Sequence, residues 1–455
     1  MEESKRYKGF ICEAIMKNTS KAAVMDNSSQ HEESSSLYIE LTELPSPGSY
    51  RGWSIYNVPR KLRKLNEEAY TPCLMSIGPL HHGKPHLKSM KRYKLEYCQK
   101  FLYITGMGIE NLIHEAKGWE NEVREHYQDN IKYSSKEFVE MFVLDGTFII
   151  MLFLKEKFPK NFAYNDVIFA NQWMQRALLH DMMLLENQLP CFVLEKLLHM
   201  IREELPAQIT FSELTHHYFR LVGNTDKVST KEIKEPRTRR HLVEYLLTFQ
   251  LMGFDKKVSR STKKFEYTRS ATELYAAGIK FISSQDRCIL EIKYTNHGEL
   301  TIPKLKVNEW TETLFRNLIA FEQCDHQREY ISSYIIFLDI LINTPKDVDL
   351  LVKCGIIENF LCDSEPDSER VSNLFNNLCK ETITEYSTFY YADICRQLNA
   401  YHRNFWHQWR ATCYRWNLIL KRDYFSTPWS VISVIAATVL LLLTVTQTVC
   451  SIMGL

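Results

Sequence analysis

The chain lacks a surplus of charge of either sign. Its 455 residues carry 56 Lys and Arg against 55 Asp and Glu, which leaves a formal net charge of +1. Proteins that bind nucleic acids generally need a clustered basic surface to displace counterions from the phosphates. The balance argues against general nucleic-acid binding, and we expect no nucleic-acid partner. Hydrophobic residues make up 45% of the chain, which is ample for a large core.

Closely spaced cysteine pairs are also missing. The twelve cysteines are scattered singly, and no Cys-x-x-Cys pair occurs. Such pairs are typical of structural zinc sites, and dense, regularly spaced cysteines are typical of small disulfide frameworks. Their absence disfavours both arrangements. The pattern instead predicts buried, reduced thiols in a protein that faces the cytosol.

The common catalytic motifs are absent. The sequence contains no Gly-x-Ser-x-Gly elbow, no phosphate-binding glycine loop and no His-Glu-x-x-His. His81, His82 and His86 place three imidazoles within six residues, which raises the question of a metal site. No carboxylate or thiolate stands beside them at ligand spacing, so we expect a packed loop with no bound metal. No cofactor is expected either.

Two aspartates interrupt apolar helical stripes. Asp145 is seven residues after Phe138 and seven before Leu152, and Asp181 has a similar apolar setting. Burying an unpaired carboxylate costs several kcal/mol. We therefore expect both to be buried structural residues, bonded to Arg176, His180 or backbone N–H groups. The alternative is an acid/base pair in a hydrolase that also uses His81, His82 or His180.

The stretch 180–198 predicts two helices joined by a tight polar corner. Apolar residues keep helical spacing on both arms. Between them stand Glu186, Asn187 and Gln188, and we expect Asn187 or Gln188 to bond the first N–H groups of the second helix. Pro190 suits the first helical position, where its missing N–H would lack a partner in any residue.

The same corner carries a family resemblance. Leu-Leu-Glu-Asn-Gln-Leu-Pro, preceded by Asp181, resembles the signature of the plant domain of unknown function 247, also catalogued as uncharacterised protein family 0481. Further blocks agree with it in order, from about residue 55 to the C-terminus: Tyr56-Asn-Val-Pro59, Ser76-Ile-Gly-Pro-Leu-His-His-Gly83, Leu144-Asp-Gly-Thr-Phe148, Asn317-Leu-Ile-Ala-Phe-Glu-Gln323 and Pro428-Trp429.

The resemblance implies plant origin. Because no catalytic set stands in the sequence, we expect a recognition or signalling protein that has no enzymatic activity of its own. Some grass members of the family are implicated as male determinants of self-incompatibility, so pollen recognition is one role that the resemblance offers. A protein partner of unknown identity is expected with it.

The chain as a whole predicts a mainly α protein with a multi-helix globular body and a small antiparallel β insert. Residues 1–48 lack an apolar pattern and should be a disordered tail, in which Asn18 and Asn27 begin N-glycosylation motifs. The helical domain should span 49–422. Alternation at Cys288, Leu290 and Ile292, then at Leu300 and Ile302, predicts a hairpin or meander near 279–306.

The last absence is charge in the C-terminal run. Residues 431–449 contain no charged side chain and would span about 28 Å as a helix. They predict a single-pass transmembrane helix over 429–453 that anchors the chain in the lipid bilayer. Trp429, Lys421 and Arg422 should lie at the membrane interface. The basic flank before the run and the lack of an N-terminal signal peptide place the body in the cytoplasm.

Overall fold

The computed structural model describes the greater part of the chain from residue 54 onwards. The described ranges are 54–162, 166–205, 208–223, 240–254, 266–286, 288–295, 297–325, 329–361, 368–382, 389–403 and 428–454. The predicted tail 1–48, with Asn18 and Asn27, lies outside them. So do Lys421 and Arg422, two of the three residues predicted at a membrane interface.

The first half of the body is helical. Its α-helices are α1 Arg60–Leu65, α2 Lys91–Thr105, α3 Ile109–Lys117, α4 Glu120–Glu125, α5 Ser135–Lys157, α6 Pro159–Phe162, α7 Val167–Ala170, α8 Gln172–Met182, α9 Cys191–Ile201, α10 Phe211–Tyr218 and α11 Leu242–Gln250. Short 3₁₀ turns occur at Glu68–Tyr70, Pro85–Met90 and Arg202–Glu204.

The second half adds two small sheets to further helices. The order is α12 Ala271–Ala277, β1 Lys280–Ser284, β2 Lys293–Thr295, β3 Glu299–Pro303, β4 Leu305–Val307, α13 Thr311–Asp325, α14 Tyr330–Leu341, α15 Pro345–Lys353, β5 Ile357–Asn359, α16 Ser368–Cys379, α17 Ala392–Arg403 and α18 Pro428–Met453. The described chain is thus mainly helical, as the sequence predicts.

Helix α5 lies at the centre of the first half, where α2, α3, α9 and α10 pack around it. Ser134 and Glu137 form a reciprocal capping box at its start, which satisfies two N–H groups that the helix leaves free. Its apolar residues face several directions, and most of the helix is buried. Gly146 allows α9 to approach, since a Cβ there would lie 2.5 Å from Leu197 Cδ1.

The β insert differs from its prediction. The first sheet has the order β1-β3-β2, with β1 parallel and β2 antiparallel to β3, so it is mixed. The alternation from Cys288 to Ile292 forms an irregular turn, and only Lys293–Thr295 is a strand. The reason is burial on all sides: Cys288, Ile289 and Leu290 are consecutively buried, so the core takes more than one face of this segment. A second sheet pairs β4 with β5 in parallel.

The predicted transmembrane helix is wrong. A helix, α18, does occupy this region and has 26 residues. Among the residues that the structure describes, however, none of the helices combines the length and the hydropathy that crossing a membrane requires. The prediction relied on the absence of charge. Sustained apolarity is also required, and the second half of α18 carries the hydroxyl side chains of Thr444, Thr446 and Thr448.

Candidate functional site

The segment Pro72–Gly78 is buried except at Cys73, and it does not join a sheet. Five of its backbone N–H groups donate to side chains instead. Asp181 is fully buried and accepts three of them: Cys73 N and Leu74 N at 2.8 Å and Met75 N at 2.7 Å. His180 Nδ1 lies 3.0 Å from the same carboxylate. Asp181 therefore takes the place of a neighbouring strand for this part of the segment.

Asp145 binds the other end of the segment. Its Oδ2 accepts from Gly78 N at 2.8 Å, and its Oδ1 pairs with Lys94 Nζ. Both side chains are buried, and Lys94 Nζ also donates to Ser76 O at 2.6 Å. The predicted partner Arg176 is elsewhere, close to Glu309. Asp145 and Asp181 thus bind N–H groups three residues apart, and neither faces the other across a shared proton.

Glu186 ties the N-terminal segment to the corner. Its Oε1 accepts from Val58 N at 2.7 Å, and its Oε2 lies 2.5 Å from an Arg63 guanidinium nitrogen. His81 Nε2 is 3.2 Å from the same oxygen. Burial raises the pKa of Glu186, but His81 and Arg63 outweigh it and hold the pKa below its ordinary value. The carboxylate is therefore charged and bound on both oxygens near neutral pH.

The corner amides do not cap the second helix, contrary to the prediction. Asn187 Oδ1 accepts from Ile77 N at 2.6 Å, and its Nδ2 donates to Met75 O and Asp181 O. Gln188 Nε2 donates back to Met182 O at the end of α8 and to Leu184 O just after it. Both amides are thus occupied elsewhere, and α9 begins without a side-chain cap. Pro190 is the N-cap of α9, one position before the predicted one.

Sequence reasoning missed further members of this polar network. Asn317 Oδ1 accepts from Leu185 N, and its Nδ2 donates to Ala69 O. Glu322 accepts from Ile331 N and Ser332 N at the start of α14. Both belong to the Asn317–Gln323 block, so the signal was a buried helix face with two polar interruptions. We call Asp145, Asp181, Glu186, Asn187 and Asn317, with Lys94, the polar hub.

One hub residue, Asp181, also belongs to a group of possible metal ligands. Within the described residues, donor atoms of Cys73, His180 and Asp181 lie within 4.8 Å of one another. Burial and the neighbouring Asp181 raise the pKa of the Cys73 thiol to about 12, which disfavours the thiolate that a metal would need. Asp181 already accepts three backbone hydrogen bonds, which occupy the lone pairs that a metal ion would need.

The histidines that prompted the metal question have separate surroundings. His81 Nδ1 lies 2.7 Å from Lys84 Nζ, and the His86 ring lies 3.3 Å from Pro72 O. The His82 ring packs edge-on against Tyr133, and burial lowers its pKa. No group of three metal-ligating side chains among the described residues includes any of these histidines.

An open cleft lies away from the hub, and sequence reasoning did not find it. It has two adjoining parts of about 300 and 620 Å³ that share Arg176, Arg220, Leu221, Glu309 and Trp310. These residues come from α8, from the end of α10 and from the turn before α13. They are far apart in the sequence, so no local pattern could predict their convergence. We call this the Trp310 cleft.

Two arginines of the Trp310 cleft are paired with glutamates. Arg220 donates to Glu156 at 2.7 Å and to His217 O at 2.8 Å. Arg176 approaches Glu309 at 3.4 Å, and both side chains are at least half exposed. Burial, aided by Glu156 and Asp181, raises the pKa of Tyr218 well above its ordinary value. The described lining contains no Ser, Cys or His.

Comparisons with known proteins place the chain in a family. The model of the family DUF247, described as a plant protein of unknown function, matches residues 55–443. The chain therefore belongs to this family, which confirms the resemblance. It is similar to the UPF0481 protein At3g47200 of Arabidopsis thaliana, with 27% identity over 88% of this chain and 86% of that protein. It is also similar to the putative UPF0481 protein At3g02645 of Arabidopsis thaliana, with 22% identity over 86% of this chain and 88% of that protein. No solved structure matches it.

Proposed function

We propose that this plant protein is a recognition protein without enzymatic activity, and that it binds its ligand in the Trp310 cleft. The observation that carries the proposal is the lining of the cleft. It has volume, exposed apolar side chains and cations, as ligand pockets do. Among its described residues there is no Ser, Cys or His, so the lining offers no nucleophile paired with a base of the kind that covalent catalysis needs.

The polar hub supports the same conclusion from the other side. Its carboxylates are the residues that a hydrolase would have used, and they bind backbone N–H groups. Asp181 lies beside His180, yet it is fully buried and fixed by three amides. A base so occupied has little freedom to exchange protons with a substrate. These contacts count against the hydrolase alternative, because the carboxylates that it needs are bound to the backbone.

Two narrower expectations remain predictions from the family resemblance. They are a role in pollen recognition during self-incompatibility and the presence of a protein partner. The prediction of a cytoplasmic body depended on the basic flank of the transmembrane helix, so it loses that support.

The test is affinity selection of small molecules from a plant extract on the full-length chain, followed by mass spectrometry. We expect retained compounds to be recovered unchanged. Their retention should be lost in Trp310→Ala and kept in Tyr103→Ala, which removes a ring that is 88% exposed elsewhere. Conversion of a compound by the wild-type chain, abolished in a folded Trp310→Ala variant, would show an enzyme instead.

A further inference from the structure

Among the described residues that line the Trp310 cleft, cations outnumber carboxylates. The cations are Arg176, Arg220, Lys306 and Arg370, and the carboxylates are Glu156 and Glu309. The whole chain is almost neutral, with a formal net charge of +1. The surplus is therefore a local property of this cleft. A concave surface with a net charge of one sign attracts ligands of the opposite sign, because its low-dielectric walls focus the field.

Arg176 is the cation best placed to exchange its partner for a ligand. Its side chain is 62% exposed, and its guanidinium meets Glu309 only at 3.4 Å. Exposed pairs of this kind contribute little, so an incoming anion has little to displace. Arg220 is held more firmly by Glu156 and a backbone carbonyl. A planar guanidinium can bind a carboxylate, sulfonate or phosphate through two parallel hydrogen bonds.

Apolar side chains form the remaining wall of the cleft. Trp310 lines both parts, and Phe360 and Leu221 stand at the wider part with exposures of 61% and 64%. Large apolar side chains so exposed mark binding surfaces when they cluster. A flat hydrocarbon body lying on Trp310 and Phe360 would cover them while its charged end reached Arg176.

We infer that the Trp310 cleft binds a small organic anion, with its acidic group on Arg176 and its flat apolar body against Trp310 and Phe360. Volumes of about 300 and 620 Å³ are those of small-molecule sites. The inference rests on the proposed function and adds the chemical class of the ligand.

Two dyes that differ in charge test it on the full-length chain. Anilinonaphthalene sulfonate carries a sulfonate on a flat aromatic body, and N-phenylnaphthylamine has a similar body without the charge. Both fluoresce when bound in an apolar site. We expect the sulfonate dye to bind at one site and to bind more tightly than the neutral dye, by roughly fivefold or more, as a charged hydrogen bond allows.

Arg176→Gln should remove that advantage and leave the neutral dye unchanged. The matched control is Arg92→Gln, because Arg92 is also exposed and also paired with a glutamate, Glu96 in α2. Trp310→Ala should weaken both dyes. Circular dichroism and a thermal melt establish that each variant is folded before its titration is compared.

The outcomes separate the two proposals. If neither dye binds, the cleft is not a ligand site and the proposed function fails with the inference. If both dyes bind equally, or if Arg176→Gln weakens both alike, the cleft binds ligands but does not select anions. Only the inference is then overturned. A charge preference that Arg92→Gln also removes would place the site elsewhere and overturn both.

Discussion

Asp181 accepts hydrogen bonds from three consecutive backbone amides. Its carboxylate supplies the acceptors that a neighbouring strand would otherwise provide. Replacing it by Asn would turn an NH₂ group toward amides that are themselves donors. We expect Asp181→Asn to lower the free energy of unfolding by roughly 1–3 kcal/mol, the cost of losing charged hydrogen bonds. Chemical denaturation followed by circular dichroism measures it. Asp129→Asn, at an exposed position, should change stability by less than about 0.5 kcal/mol. Equal stability of the two variants would contradict a structural role for Asp181.

His241 links stability to pH. Burial, with Arg240 nearby, lowers its pKa from 6.5 to about 3. Between these two pH values, the ring is therefore protonated in the unfolded chain and neutral in the folded chain. Stability contributed by the neutral ring is complete above pH 6.5 and falls as the pH drops, by about 1.4 kcal/mol per unit for one proton.

His241→Phe should remove this dependence, because a phenyl ring does not titrate and can keep the edge-on contact with Phe321. We expect the stability of the variant relative to wild type to rise steadily from pH 6.5 to pH 4.5. Unfolding free energies at several pH values provide the measurement. The same substitution at the exposed His199 is the control. Parallel curves for wild type and His241→Phe would show that the ring is not kept neutral.

At the level of elements, Gly78 fixes the end of the buried segment. Its φ is +69°, and a Cβ there would lie 2.6 Å from Gln188 O and 2.7 Å from the Tyr127 hydroxyl. Gly83 has a similar φ of +81° with no atom within 4 Å. Gly83→Ala should cost about 1–2 kcal/mol for the left-handed backbone alone. Gly78→Ala should cost more, since backbone must also move. Thermal melts compare the two, and equal losses would mean that the corner yields without strain.

The elements also show where sequence reasoning succeeds. Helices α5, α8 and α9 follow from apolar spacing and from the Ser134 cap, because those signals are local. The partners of Asn187 do not follow. Its amide could bond the next helix or a distant segment, and only the packing of Met75 and Ile77 beside it decides. The stretch from Cys288 failed for the same reason: tertiary burial on several faces overrode its alternation.

At the scale of the whole molecule, the two candidate sites differ in how well the sequence predicts them. The hub aspartates can be recognised in the sequence, since a carboxylate on an apolar helix face needs a partner. The Trp310 cleft gives no such signal. Arg176, Arg220 and Trp310 look like ordinary surface or core residues, and only the placing of α8, α10 and α13 gathers them. Long-range assembly of this kind is invisible to a local pattern.

The hub should also make an irregular segment as resistant to opening as a helix. The amides of Cys73, Leu74 and Met75 donate to Asp181, that of Ile77 to Asn187 and that of Gly78 to Asp145. Because all three acceptors are buried, these amides can exchange only when the surrounding helices separate. Native-state hydrogen exchange should therefore give them protection close to that of the centre of α5. In Asp181→Asn, protection should fall first at residues 73–75 and persist at Ile77 and Gly78, whose acceptors are intact. Rapid exchange of all five amides in the wild-type protein would mean that the segment opens locally and that the hub does not hold the fold together.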